Sequence, residues 1–253
     1  MLKRLLPILF FSFSSLAYAY TGSGLDDEGN PIPINQYDVV GDRILGENIP
    51  HESRLVWQRF TQVIPAQYRQ EIQVFEPIDG NYGIDGSIHA ISDDKSIWVV
   101  QLDIKDSVSK YDLDRTMIHE FAHLLTLRAD QIPLADTDDA TVRNNCRSYA
   151  LPDGCTAPDS YLNHFVSQFW QPLLPVSSNE VDVSNRYQTH INEFVTEYAA
   201  TNPAEDIAES FAEYVLAEQL PPASSIANKK IRFFDHYRKL RLMRKNIRAN
   251  GKL

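Results

Sequence analysis

Five consecutive residues, His119-Glu120-Phe121-Ala122-His123, constrain this chain more than any other stretch. They follow the pattern HExxH. Side chains four apart lie one turn apart on the same face of a helix, so the two imidazoles converge only if the segment is helical. Two imidazoles placed that way can grip one metal ion, and the Glu120 carboxylate can then reach a water bound to it. A helix is therefore expected over residues 109–128, opened by Ser109 with Asp112 three positions on. Leu113, Met117, Leu124 and Leu127 give it an apolar surface.

The flanking sequence sets the fold class. Short β-branched and aromatic runs at 72–75, 87–91 and 97–104 read as strands. The run Ile97-Trp98-Val99-Val100-Gln101-Leu102-Asp103-Ile104 is the strongest of them. It suits either a sheet edge that pairs with an extended substrate or a buried central strand, and its alternation does not separate the two. Helical periodicity marks 52–64, 159–170, 184–200, 203–219 and 226–248. Strands first and helices later predict an α+β protein, with a small N-terminal mixed sheet, the motif helix and a mainly helical C-terminal lobe.

The chain opens on Lys3 and Arg4, a short apolar run and Ala17-Tyr18-Ala19, which predicts a secretory signal peptide over 1–19. The apolar run is short for a membrane span, so no stable membrane anchor is expected after cleavage. The bland alternative is an uncleaved anchor. The mature protein is then expected in the periplasm or outside the cell. Residues 20–50, rich in Gly, Asp, Asn and Pro, read as an extended N-terminal arm ahead of a domain over 51–253. In an oxidising compartment the two cysteines, Cys146 and Cys155, are expected to form a disulfide, since their spacing is not that of a zinc site.

The net charge of −10 is uneven. Residues 229–253 hold ten Lys/Arg and one Asp, so residues 1–228 carry −19. An acidic body argues against a nucleic-acid partner. The basic tail repeats Ile231, Phe234, Tyr237, Leu240, Met243 and Ile247 at helical spacing, which predicts a helix packed on the body by one apolar stripe.

A catalytic zinc site takes three protein ligands and an open water position. No third His follows His123 at a ligand spacing, and His51, His89, His164, His190 and His236 stand alone. A carboxylate from a later helix is the other solution. In Asn202-Pro203-Ala204-Glu205-Asp206-Ile207-Ala208-Glu209, Asn202 can cap a helix and Pro203 suits its first turn. Glu205 and Glu209 then stack at i, i+4. One can ligate zinc while the other hydrogen-bonds a ligand His. Equally, Glu205 stands where a capping-box Glu would stand, and Glu209 suits a solvated helix face.

Taken together, HEFAH and TNPAEDIAESF resemble the zinc core of the anthrax lethal factor-like metallopeptidases, gluzincins that include secreted Pro-Pro endopeptidases. The resemblance implies a zincin-like domain, with Zn2+ held by His119, His123 and Glu205, and Glu209 supporting a ligand His. It also implies a hydrogen-bond donor for catalysis at Tyr198, seven residues before Glu205, where composition alone allows an ordinary half-buried Tyr. This chain departs from the family in having Ala122 and the run Leu124-Leu125-Thr126 after the motif, and in the long cysteine-bearing segment before Glu205. The function implied is that of a secreted endopeptidase acting on a peptide or protein substrate, with Glu120 as general base. The alternative is a non-catalytic zinc-containing binding or inhibitory module.

Overall fold

The computed structural model describes residues 24–26, 30–80, 83–105, 109–133, 146–152, 154–175 and 177–253. The expected signal peptide, residues 1–19, lies outside the described residues. The fold is α+β. Five strands form one mixed sheet: β1 (Tyr37–Val40), β2 (Arg43–Leu45), β3 (Ile72–Ile78), β4 (Gly86–Ala90) and β5 (Trp98–Asp103), in the order β2-β1-β3-β5-β4. β3 and β5 run parallel, and the other neighbours are antiparallel. Two of these strands, β1 and β2, fall inside the stretch read from sequence as an arm.

The strand expected at 97–104 is central. β5 is buried at every position and hydrogen-bonded on both sides, by β3 and β4. That matches its composition: a strand covered on both faces reads as a continuous apolar run. On this side the edge strand is β4, and among the described residues no strand pairs with its outer side.

Seven α-helices occur among the described residues: α1 (His51–Val63), α2 (Lys110–Leu127), α3 (Tyr161–Phe169), α4 (Glu180–Thr189), α5 (Pro203–Leu216), α6 (Ile226–Phe233) and α7 (Arg238–Gly251). The motif helix α2 starts as expected, with the Ser109 hydroxyl accepting from the Asp112 N–H at 3.1 Å. From Met117 to Thr126 it is buried on all sides. One core cluster joins it to the sheet and to α5, where Phe121 and Phe211 meet at 6.2 Å between ring centroids.

Two helices expected as single pieces are broken. The 184–200 segment is α4 followed by a separate turn, Tyr198–Ala200, which brings Thr196 and Tyr198 to the metal-ligand region. The 226–248 segment is α6 and α7, joined through a short turn at Phe234–His236 and an extended Tyr237. The break lets both pieces lie against α5 while Phe234, Leu240, Met243 and Ile247 stay buried along the expected stripe. Several basic residues of the tail have structural partners. Arg244 and Arg248 donate to the carbonyls of Tyr214, Val215, Leu216 and Ala217, which lie at or just beyond the end of α5. Cations there complete the orphan carbonyls and oppose the helix dipole.

Candidate metal centre and cleft

Two helices bring the three sequence-expected ligands together. His119 and His123 project from one face of α2, one turn apart. Glu205 projects from the first turn of α5, which Asn202 caps by accepting from the N–H groups of Ala204 (2.9 Å) and Glu205 (3.1 Å). The capping-box alternative for Glu205 fails, because its carboxylate reaches across to α2. Glu205 Oε2 lies 3.2 Å from His119 Nε2 and 3.2 Å from His123 Nε2, and the two Nε2 atoms are 3.0 Å apart.

These separations suit a tetrahedral ion. At zinc–nitrogen and zinc–oxygen distances of about 2.1 Å, ligand atoms sit roughly 3.4 Å apart along a tetrahedron's edge. Two imidazoles and one carboxylate could hold a metal ion such as zinc, with three protein ligands rather than the four of a closed structural site. His123 Nδ1 is buried with no hydrogen-bond partner among the described residues.

Behind the ligands, Glu209 Oε1 lies 2.8 Å from His119 Nδ1. Glu209 is itself clamped. Arg115 donates to both of its carboxylate oxygens, at 3.0 and 2.5 Å, and the Thr196 hydroxyl donates at 2.6 Å. A ligand His whose far nitrogen faces a fixed carboxylate is held in one orientation and made more basic. Arg115 and Thr196 were not singled out from sequence. Arg115 carried a usable signal, since it precedes His119 by one helical turn. Thr196 carried none, because its segment reads as continuous helix, whereas the chain leaves the helix at Thr189 and delivers Thr196 just before the Tyr198–Ala200 turn.

Charge follows this geometry. Burial alone would lower the His119 pKa, but Glu205 and Glu209 override it and raise it to about 10 in the metal-free chain. Burial opposes ionisation of Glu209, yet contacts with His119 and Arg115 pull its pKa down to about 2. Glu205 is likewise lowered, against burial, by the two imidazoles. Glu120 goes the other way. It is 6 % exposed, and burial raises its pKa against the pull of His119 and His123. A buried carboxyl whose ionised form is disfavoured in this way is a better proton acceptor than a free one, and can return the proton it takes.

Tyr198 stands at the rim, its ring 5.9 Å from the His119 ring. Desolvation, and then the Glu205 and Glu120 carboxylates, push its hydroxyl above the ordinary Tyr range. The hydroxyl therefore keeps its proton at neutral pH.

The ligands open into a cleft of about 470 Å3, roofed by Gly86, Ser87 and Ile88 of the edge strand. A second hollow of about 310 Å3 shares Ile88 and Leu127 with it and continues along β4. Of the remaining histidines, His89 lines the second hollow and three others are paired elsewhere. His164 pairs with the Tyr237 hydroxyl at 3.0 Å, His190 with Glu193 at 2.9 Å and His236 with the Phe233 carbonyl at 3.2 Å. Cys146 and Cys155 are bonded to each other, as expected.

No family model matches the chain, and no curated protein matches its sequence. Among solved structures, the chain is similar to a crystal structure described as a candidate zinc-binding metallo-peptidase from Bacteroides caccae. The identity is 18 %, over 79 % of this chain and 72 % of that one, with a TM-score of 0.39. Similarity at that level carries no functional argument, which rests on the residues of the centre itself.

Proposed function

We propose that the chain is an exported zinc-dependent endopeptidase of the gluzincin type. The observation that carries this reading is the meeting of His119, His123 and Glu205 beside a buried Glu120, at the floor of a cleft under an unpaired strand edge. When bound there, zinc would lower the pKa of a coordinated water to about 7 and polarise the scissile carbonyl.

The protein's own groups would do the rest. The outer edge of β4 pairs with an extended substrate backbone, which places a peptide bond above Glu120. Glu120 takes a proton from the attacking water and returns it to the leaving amine nitrogen. Tyr198 donates a hydrogen bond to the carbonyl oxygen as negative charge builds there, where a fixed donor helps most. Glu209, held by Arg115 and Thr196, keeps the His119 ring in register. A non-catalytic zinc module would need neither a buried carboxyl beside an open coordination position nor a cleft along a strand edge.

The signal-like start and the disulfide support export, and no helix among the described residues is long and apolar enough to cross a membrane. The lethal factor-like pattern of Tyr198, Glu205 and Glu209 supports the assignment of roles. The test is a peptide library digested by the zinc-loaded chain and by Glu120→Ala. The parent is expected to cleave. The variant should keep a full complement of zinc and lose at least 100-fold in rate, the lower end of a general-base contribution. Equal cleavage by both would remove Glu120 from the chemistry.

A further inference from the structure

We propose that the disulfide-stapled hairpin is the specificity wall of the cleft, and that the subsite it forms takes an apolar side chain of the substrate. This deepens the peptidase reading and rests on it. The hairpin is small. Its strands β6 (Ala150–Leu151) and β7 (Gly154–Cys155) pair antiparallel, and the Cys146–Cys155 bond closes it at a Cα separation of 5.6 Å. Nothing about two such short strands is stable alone, so the hairpin is fixed from outside its own ladder.

Those fixings are specific. The Tyr149 N–H donates to the Asn163 side chain of α3 at 3.1 Å, and the Ala157 N–H donates to the Gln131 carbonyl beyond the end of α2 at 2.7 Å. The Thr156 N–H and hydroxyl both donate to the Tyr149 carbonyl at 2.9 Å. The hairpin is thus tied to the motif helix on one side and to the C-terminal lobe on the other.

Its exposed business side faces the metal centre. Tyr149, Leu151 and Pro152 line the same cleft as His119, His123 and Glu205, together with Ile88 of β4 and Leu127 at the end of α2. Tyr149 and Leu151 are only part-buried, and both also pack on the main core. Among the described residues, every charged side chain lining this cleft belongs to the ligand set or is Glu120. A charged substrate side chain beside the hairpin would meet no opposite charge outside the ligand set and Glu120 among the described lining residues, whereas an apolar one would cover Leu151 and Leu127. The disulfide closes the hairpin on itself and so holds the wall's shape, while the bonds to Asn163 and Gln131 hold its place beside the ligands.

The experiment reads binding, so that it does not depend on turnover. The probes are peptide hydroxamates that chelate the zinc-loaded full chain and carry either a leucyl or an aspartyl side chain, on either side of the chelating group. Calorimetric titration of the parent is expected to show at least a tenfold preference for leucyl on one side. Leu151→Asp should erase that preference, and Leu151→Ala should reduce it, with zinc content unchanged in both. Replacing both cysteines with Ser should weaken the same preference while leaving zinc affinity intact. The milder Leu151→Ala and the far-UV spectrum guard against a variant that merely fails to fold. A parent without preference, or the same preference in all the variants, overturns the proposal. A parent that discriminates between the hydroxamates but cleaves no library peptide would leave the subsite standing and sink the peptidase reading instead.

Discussion

Glu209 shows how much of the centre is built by residues that touch no substrate. Its carboxylate stands between His119 and Arg115, and its pKa of about 2 lies below the ordinary 4.5. A depressed carboxyl contributes stability that is present above the unfolded value and lost as the pH falls through the folded one. Metal-free protein should therefore lose stability between about pH 4.5 and pH 2, and Glu209→Gln should flatten that decline. Denaturant midpoints taken across the interval check this, and parallel curves for parent and variant would refute it. In zinc-binding assays the same variant should lose roughly 10–100-fold in affinity, the usual cost of removing a partner behind a ligand His. At this scale the sequence was informative. HExxH, the Asn202 cap and the i, i+4 pair of Glu residues point to one metal centre because each depends on local helix geometry. The clamp on Glu209 was legible only in that Arg115 shares a helix face with His119: Arg115 and Thr196 reach Glu209 across 94 and 13 residues of chain, and such meetings are decided by packing.

Among the elements, β4 and α5 each depend on one unusual position. Gly86 opens β4 directly over the motif helix. A Cβ built there would lie 2.8 Å from Thr116 Cγ2 and 3.1 Å from Glu120 Cγ. Gly86→Ala should cost about 1–3 kcal/mol from overpacking and disturb Glu120, and Thr116→Ser in the same chain should restore most of the stability by removing the methyl. Melting curves of the single and double variants decide the point, and no recovery in the double would place the strain elsewhere. The N-terminal turn of α5 rests on a buried ion pair. Asp206 and Lys230 are both 0 % exposed and 2.6 Å apart, with Trp170 Nε1 donating to Asp206 at 2.7 Å and Phe194 over the ammonium at 4.0 Å. Lys230→Met should destabilise by roughly 3–5 kcal/mol, because it strands a buried carboxylate. Adding Asp206→Asn keeps an acceptor for Trp170 and should recover much of that loss. Chemical denaturation of the two variants tests it, and equal losses in both would contradict it. The elements themselves were legible where periodicity ran long, as in α1, α2 and α5. The breaks at 190–197 and at Tyr237 carry no Pro or Gly to announce them. Nor did alternation reveal that β5 lies inside the sheet while the weaker run at 86–90 forms its edge.

In the whole molecule, the sheet and α2 on one side and the α5 lobe on the other are joined twice, by the apolar core and by the metal ligands. Zinc that binds only the folded form should stabilise it by about 2.7 kcal/mol at a hundred times its Kd. At roughly 2–4 °C per kcal/mol for a domain of this size, that is a rise in Tm of about 5–11 °C. The size of the rise should depend on pH, and its direction follows from His119. In metal-free protein the imidazole is held near a pKa of about 10 against 6.5 for a free one. The proton it holds between Glu205 and Glu209 stands in for part of the cation's charge. A raised pKa contributes stability that is fully present below pH 6.5 and lost as the pH rises through about 10. Metal binding needs that nitrogen deprotonated. The metal-free fold therefore weakens over the same interval in which the proton that zinc must displace from His119 becomes easier to remove. The gap in Tm between zinc-loaded and chelator-treated protein should widen from pH 6.5 to pH 9, and Glu205→Ala should shrink it at every pH. Calorimetric scans at matched free zinc measure both effects. A gap that narrows as the pH rises would show that His119 does not hold its proton in the metal-free fold.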